Sequence, residues 1–130
     1  MIILTLRTDK PIAELGLFDG DKRIDHLEWE AHRQLAETLH SQIAKLLEVS
    51  SLTSDHINGL VVYKGPGSFT GLRIGISVIN ALAYANGLSV VGESGDDWIA
   101  KGISRLLADE NDRIVTPEYG AAPNITRQKK

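Results

Sequence analysis

The stretch Tyr63–Gly75, YKGPGSFTGLRIG, decides the fold of this chain. It follows an apolar run at 57–63, which predicts a buried strand, and it leads into a longer apolar segment at 72–85, which predicts a helix. The Gly-Pro-Gly sequence at 65–67 indicates a sharp turn, because glycine tolerates positive φ and proline fixes φ. The unit is therefore a strand, a tight turn and a helix.

This glycine-rich loop fails two ligand-binding patterns. A P-loop needs Gly-Lys-Ser/Thr, but Gly71 is followed by leucine and arginine. A dinucleotide-binding fingerprint needs a third glycine where this chain has Thr70. A turn whose small residues let the helix pack closely needs no ligand. We expect Ser68 or Thr70 to cap the helix by accepting a hydrogen bond from an early backbone N–H.

Composition predicts one compact soluble domain. The chain has 130 residues, and its 42% hydrophobic and 24% charged residues argue against disorder. It has no cysteine, which excludes disulfides and thiolate metal sites. No signal-peptide pattern or membrane-length apolar stretch is present, so we expect a cytoplasmic protein without a membrane partner. The net charge is −3, and the basic cluster at 127–130 is too small to bind RNA alone.

Periodicity predicts eight elements in the order of an α/β fold. Short turns, including the Asp-Gly turn at 19–21, join the first three strands into an antiparallel meander, and later strand–helix–strand units extend the sheet in parallel. We expect a domain at 1–112 and a C-terminal tail at 113–130. The predicted strands are 1–8, 12–18, 23–31, 57–63 and 88–92, and the predicted helices are 33–49, 72–85 and 96–108.

The sequence GPGSFTGLRIG at 65–75, with INGLVV before it at 57–62, closely resembles the signature of the TsaB (YeaZ) family. The resemblance implies a single actin-like (ASKHA, RNase H-like) domain with a mixed five-stranded sheet and flanking helices. It also implies a non-catalytic scaffold subunit that binds the catalytic subunit TsaD and the ATPase TsaE. That machinery places threonylcarbamoyl on adenosine 37 of tRNA, which this subunit would reach only indirectly, through the complex.

The helix at 72–85 is apolar around most of its girth, so we expect it to be covered on more than one side. Gly71 and Gly75 share one face, where either the sheet or a partner helix could approach closely. In the family, the first two helices form the heterodimer with TsaD. The positions that this resemblance assigns to partner binding are Leu39, Ile43, Leu46, Gly71, Ile74, Gly75 and Val78.

The chain departs from the family in two places. Members usually carry a second actin-like domain, so we expect a compact form that lacks it. Active members of the superfamily place an acidic residue at the end of the first strand, where this chain has Arg7, so we do not expect magnesium–phosphate binding there. Asp9 is the alternative candidate for a displaced acidic residue. The four histidines show no metal-ligand spacing along the chain. We therefore predict no catalytic residues, no metal and no cofactor.

Two other functions remain open from the sequence. One is an actin-like phosphotransferase fragment that a second chain completes. The other is a free-standing interaction module, which forms a homodimer through the same helix pair when no partner is present.

Overall fold

The structure is a computed structural model that describes residues 1–31 and 34–118, apart from the side chain of Phe69. It contains all eight predicted elements in the predicted order, and α2 begins three residues before its predicted start. A short 3-10 turn precedes the fourth strand. The elements are β1 (Ile2–Arg7), β2 (Ile12–Asp19), β3 (Lys22–Glu30), α1 (Leu35–Val49), β4 (Gly59–Tyr63), α2 (Phe69–Asn86), β5 (Ser89–Glu93) and α3 (Trp98–Leu107).

The five strands form one mixed sheet in the order β3-β2-β1-β4-β5. β1, β2 and β3 pair antiparallel, and β1–β4 and β4–β5 pair parallel. This confirms the predicted fold class, a mixed five-stranded sheet that opens with an antiparallel meander. β1 is the central strand, and Leu4 lies opposite Leu17 on one side and Leu60 on the other.

The helices cover both faces of the sheet. α1 contacts β2 and β3 on one face, where the indole Nε1 of Trp29 donates a 3.0 Å hydrogen bond to the hydroxyl of Thr38. α2 lies beside α1 on that face. α3 packs on β4 and β5 from the other face, so closely that a Cβ on Gly102 would overlap Val61. On the α3 face of β2 and β3, Phe18 is buried, whereas the side chains of Glu14 and His26 remain partly exposed.

The segment after α3 covers the outer edge of β5. The backbone N–H of Val90 donates to the Asn111 side chain at 3.1 Å, and that of Gly92 donates to the Asp112 carboxylate at 2.9 Å. Asp112 also returns its own N–H to the Val90 carbonyl at 2.8 Å. Edge-strand groups that would otherwise remain unpaired are therefore satisfied by this segment.

The chain continues onto the domain as far as Glu118. Val115 is buried, and its backbone N–H and carbonyl both bond the side chain of Asn80 on α2. The predicted boundary between 112 and 113 stays a prediction, and residues 119–130 lie outside the described part of the chain. Among the described residues, no helix combines the length and apolar character needed to cross a bilayer.

The carboxylate of Asp112 should make stability depend on pH. Burial acts to raise the pKa of Asp112, but hydrogen bonds from Arg105 and Gly92 more than offset it, so the pKa lies below its ordinary value of 3.8. A lowered pKa in the folded state stabilises the fold above the unfolded-state value, and this stabilisation is lost as pH falls through the folded value. We expect Asp112→Asn to lower the free energy of unfolding by about 1 kcal/mol near pH 7.

Urea denaturation of both proteins at several pH values measures this effect. The difference between wild type and Asp112→Asn should shrink below about pH 4. Asp109→Asn, a control at an exposed position on the same segment, should change stability little at any pH. A wild-type advantage that is as large at low pH as at neutral pH would contradict the role given to the ionised carboxylate.

Candidate functional site

The loop between β4 and α2 is fixed by its own backbone and by Tyr63. Gly65 has φ +116°, which favours glycine, and a Cβ there would overlap the carbonyl of Glu118. The Gly65–Pro66 peptide is cis. The phenol of Tyr63 donates a 2.8 Å hydrogen bond to the carbonyl of Pro66. The turn predicted from the Gly-Pro-Gly sequence is present.

Arg7, at the end of β1, is held by two groups beside this loop. Its guanidinium donates from Nε to the Asp9 carboxylate at 2.7 Å and from a terminal nitrogen to the second oxygen at 3.2 Å. Its central carbon also lies 3.8 Å from the centroid of the Tyr63 ring, within cation–π range. Trp98 at the start of α3 supports that ring, since the two rings meet edge-on with their centroids 5.8 Å apart.

Burial and neighbouring charges shift the pKa values of Arg7 and Tyr63. Burial acts to lower the pKa of Arg7, but its hydrogen bonds and charge pairing with Asp9 outweigh burial and raise it. Burial raises the pKa of Tyr63, although the neighbouring guanidinium opposes the shift. The Asp9 side chain is only 5% exposed, and Arg7 engages both of its oxygens. A metal–phosphate group could reach this carboxylate only by displacing Arg7.

The loop after β1 holds the first turns of α2. The Thr8 hydroxyl donates to the carbonyl of Gly71 at 2.7 Å, and the backbone N–H of Ser68 donates to the carbonyl of Asp9 at 3.3 Å. A Cβ on Gly71 would overlap the Thr8 carbonyl, and one on Gly75 would overlap the Thr8 hydroxyl. These two glycines therefore allow α2 to approach the β1–β2 loop of the same chain.

The side-chain cap predicted at the start of α2 does not form. Ser68 occupies the N-cap position, but its hydroxyl makes no capping hydrogen bond. Thr70 lies inside the first turn. The helix begins earlier than the apolar pattern because the contact of the Ser68 N–H with the Asp9 carbonyl positions its start.

A cavity of about 210 Å³ lies between the β1–β2 loop and the start of α2. It is smaller than the pockets of about 300–1,000 Å³ that hold drug-sized ligands. Polar groups from Lys10, Ser68 and Thr70 line it together with apolar groups of α1 and α2. Its lining residues are Thr8, Asp9, Lys10, Pro11, Ala31, Leu35, Ser68, Thr70, Gly71 and Ile74.

The residues predicted for partner binding lie on the helix pair α1 and α2, at different depths. Leu39, Ile43 and Leu46 are in the core, with exposures of 0%, 8% and 2%. Ile74 and Val78 are half-buried on α2. Gly71 and Gly75 face Thr8, as described above. The assignment of these residues to an interface stays a prediction. Because the three α1 residues are buried, a partner that contacts α1 directly would have to touch the exposed residues next to them.

One exposed row of α2 was not among the predicted residues. Ser77, Ala81 and Ala85 are exposed and recur every four residues, so they share the side of the helix that points away from the sheet. Helical periodicity measured from the buried Leu72, Ile76 and Ile79 could have identified this row. We call Ser77, Ala81 and Ala85 the outer row of α2.

Comparisons with known proteins identify the family. The family model described as "TsaD: tRNA N6-adenosine threonylcarbamoyltransferase" matches residues 29–106, which is more than half of the chain. The chain is 35% identical over 89 residues to the tRNA threonylcarbamoyladenosine biosynthesis protein TsaB of Escherichia coli K12. The chain belongs to the TsaB (YeaZ) family.

The matches to TsaB-family proteins cover different shares of this chain and of each relative. TsaB of Haemophilus influenzae is 29% identical over 112 residues, which cover 85% of this chain and 47% of that protein. The E. coli match covers 60% of this chain and 38% of that TsaB. In fold, the chain is similar to YeaZ from Pseudomonas aeruginosa, with a TM-score of 0.68, 24% identity, and coverage of 82% of this chain and 50% of that one. The chain thus spans half or less of these TsaB-family relatives.

The contact between α2 and Thr8 can be tested by adding a methyl group. We expect Gly75→Ala to lower the free energy of unfolding by about 1–3 kcal/mol, because the new Cβ overlaps the Thr8 side chain. Alanine favours an isolated helix by up to about 1 kcal/mol over glycine, so any loss must come from the overlap. Chemical denaturation gives the value.

A double-mutant cycle with Thr8→Ala identifies the source of that loss. Thr8→Ala removes the hydroxyl and methyl groups that the new Cβ would meet, so Gly75→Ala should cost less in this background. Ser77→Ala, an exposed control on the same helix, should be close to neutral. If Gly75→Ala were harmless in the wild-type background, the close approach would not limit stability.

Proposed function

We propose that this chain is a non-catalytic scaffold subunit of tRNA threonylcarbamoyladenosine biosynthesis and that it binds a TsaD-like catalytic subunit. The observation that carries the proposal is its similarity to two proteins named TsaB of that biosynthesis, over 60% and 85% of its length. The TsaD-type family model over residues 29–106 supports a relation to the transferase side of the same pathway.

The exposed side of the α1–α2 pair is the surface proposed for that partner. The outer row of α2 carries a hydroxymethyl group and two methyl groups, with the long exposed side chains of Arg73 and Tyr84 beside it, so a partner would meet both small and long side chains on this face. Half-buried Ile74 and Val78 flank the row and add apolar surface. This surface lies beside the seven positions that the family resemblance assigns to the interface.

The geometry around Arg7 supports a non-catalytic role. Arg7 takes the position expected for the acidic residue of active superfamily members, and it engages both oxygens of the nearby Asp9 carboxylate. The remaining proposed contacts follow the family resemblance. They are a TsaE-like ATPase, tRNA reached only indirectly through the complex, and self-association of the same helix pair when the catalytic subunit is absent.

Substitution at the centre of the outer row tests the interface. We expect Ala81→Arg to weaken binding to a TsaD-type transferase by tenfold or more, which corresponds to about 1.4 kcal/mol, because a long charged side chain separates the two surfaces. Isothermal titration of the purified proteins measures the affinity. The exposed position and good helix propensity of arginine should leave the fold intact, and thermal melting checks this.

Ala100→Arg is the matched control, since it makes the same change at an exposed alanine of α3, on the opposite face of the sheet. It should bind as the wild type does. Equal loss in both variants would point to a charge effect, and normal binding by Ala81→Arg would place the interface elsewhere. Failure of the wild-type chain to bind the transferase would contradict the proposed function itself.

A further inference from the structure

Three potential metal ligands meet on the α3 face of β2 and β3, away from the helix pair. They are Glu14 on β2, and His26 and Glu28 on β3, and one ligand atom from each lies within 4.8 Å of the others. Strand geometry assembles them. Glu14 and Glu28 are directly opposite in the antiparallel register, and His26 is two residues before Glu28 and therefore on the same face.

Two of these groups repel each other. Directly opposed like charges destabilise an antiparallel pair, and here both members are carboxylates. The Nε2 atom of His26 lies 2.9 Å from a carboxylate oxygen of Glu28. Glu14 has no such hydrogen bond within the described part of the chain, although it is half-buried. A cation between the three side chains would neutralise this repulsion.

The guanidinium of Arg7, on the neighbouring strand, is paired with other groups. Arg7 is directly opposite Glu14 in the register of β1 and β2, so it is placed to pair with that carboxylate. Its guanidinium instead forks onto Asp9 and stacks on Tyr63. The long-range charge of Glu14 contributes only the last of the effects that raise the pKa of Arg7. The Glu14 carboxylate therefore remains available to another positive group.

We propose that Glu14, His26 and Glu28 bind a divalent transition-metal ion, with Zn²⁺ as the best match to the ligand set. One imidazole nitrogen and two carboxylate oxygens are ordinary zinc ligands, and three protein ligands leave a position for water. Ligand atoms about 2.0–2.1 Å from a tetrahedral ion are about 3.3 Å apart. The three ligand atoms lie within 4.8 Å of one another and all three side chains are at least partly exposed, so binding would require them to come closer together around the ion.

All three proposed ligands are held by paired strands and none lies in a loop. All three residues belong to the hairpin formed by β2 and β3, whose register is continuous from Ile12 to Leu17. Gly16 lies opposite His26, so no side chain of β2 stands beside the imidazole at that pair. A site on paired strands keeps its ligands near one another before the ion arrives, which reduces the ordering that binding requires.

A titration of tag-free protein with Zn²⁺ near pH 7.5, where histidine ligands are readily deprotonated, tests the proposal. We expect one ion per chain, and an affinity lower by about tenfold or more in His26→Ala and in Glu14→Gln. His40→Ala is the matched control, because His40 is an exposed histidine on α1. It should bind as the wild type does. Co²⁺ should give visible absorption bands of a tetrahedral site in wild type and His40→Ala only.

Thermal melting separates lost binding from lost folding. Without metal, Glu14→Gln should be at least as stable as wild type, because it removes the repulsion between opposed carboxylates. With Zn²⁺, wild type should gain stability and Glu14→Gln should not. The proposal is overturned if wild type binds no ion at these concentrations, or if His26→Ala binds as tightly as wild type, which would reveal adventitious binding elsewhere on the surface.

Discussion

The hydrogen bond from the Thr8 hydroxyl to the Gly71 carbonyl joins the central strand to the helix that follows the glycine-rich loop. It requires α2 to lie against the β1–β2 loop at backbone distance, which only glycine permits at 71 and 75. Once α2 is there, the Ser68 N–H reaches the Asp9 carbonyl. The Asp9 side chain then lies beside Gly67, with Arg7 and Tyr63 on the other side. These contacts hold the β4–α2 loop, the end of β1 and the start of α2 in fixed positions relative to one another.

The same contacts explain how the Asp9 carboxylate can be buried. Burying a charge is costly unless it is paired and hydrogen-bonded, and Arg7 supplies both through its fork. The ring of Tyr63 packs against the guanidinium of Arg7, and its hydroxyl donates a hydrogen bond to the Pro66 carbonyl in the loop. Arg7 and Asp9 thus form a close ion pair at this corner of the sheet.

Local periodicity was enough to predict the elements, since strands and helices differ in the spacing of their apolar residues, and the family resemblance supplied the fold class. Periodicity also placed Gly71 and Gly75 on one helix face correctly. It could not specify what that face meets, because Thr8 is distant in sequence and its contact depends on parallel pairing of β1 and β4. The Glu14, His26 and Glu28 group was missed for the same reason. Ligand spacing was sought along the chain, whereas these residues meet across two strands.

The segment that covers the edge of β5 makes the two edges of the sheet differ in whether a further strand can pair with them. Asn111 and Asp112 occupy the hydrogen-bonding groups that another strand would use on that side. β3 forms the opposite edge, so within the described residues the sheet has an outer strand left open to strand addition there only. Charged residues populate that strand, and charge on an edge discourages pairing between copies. Both edges of the sheet therefore discourage the addition of a further strand.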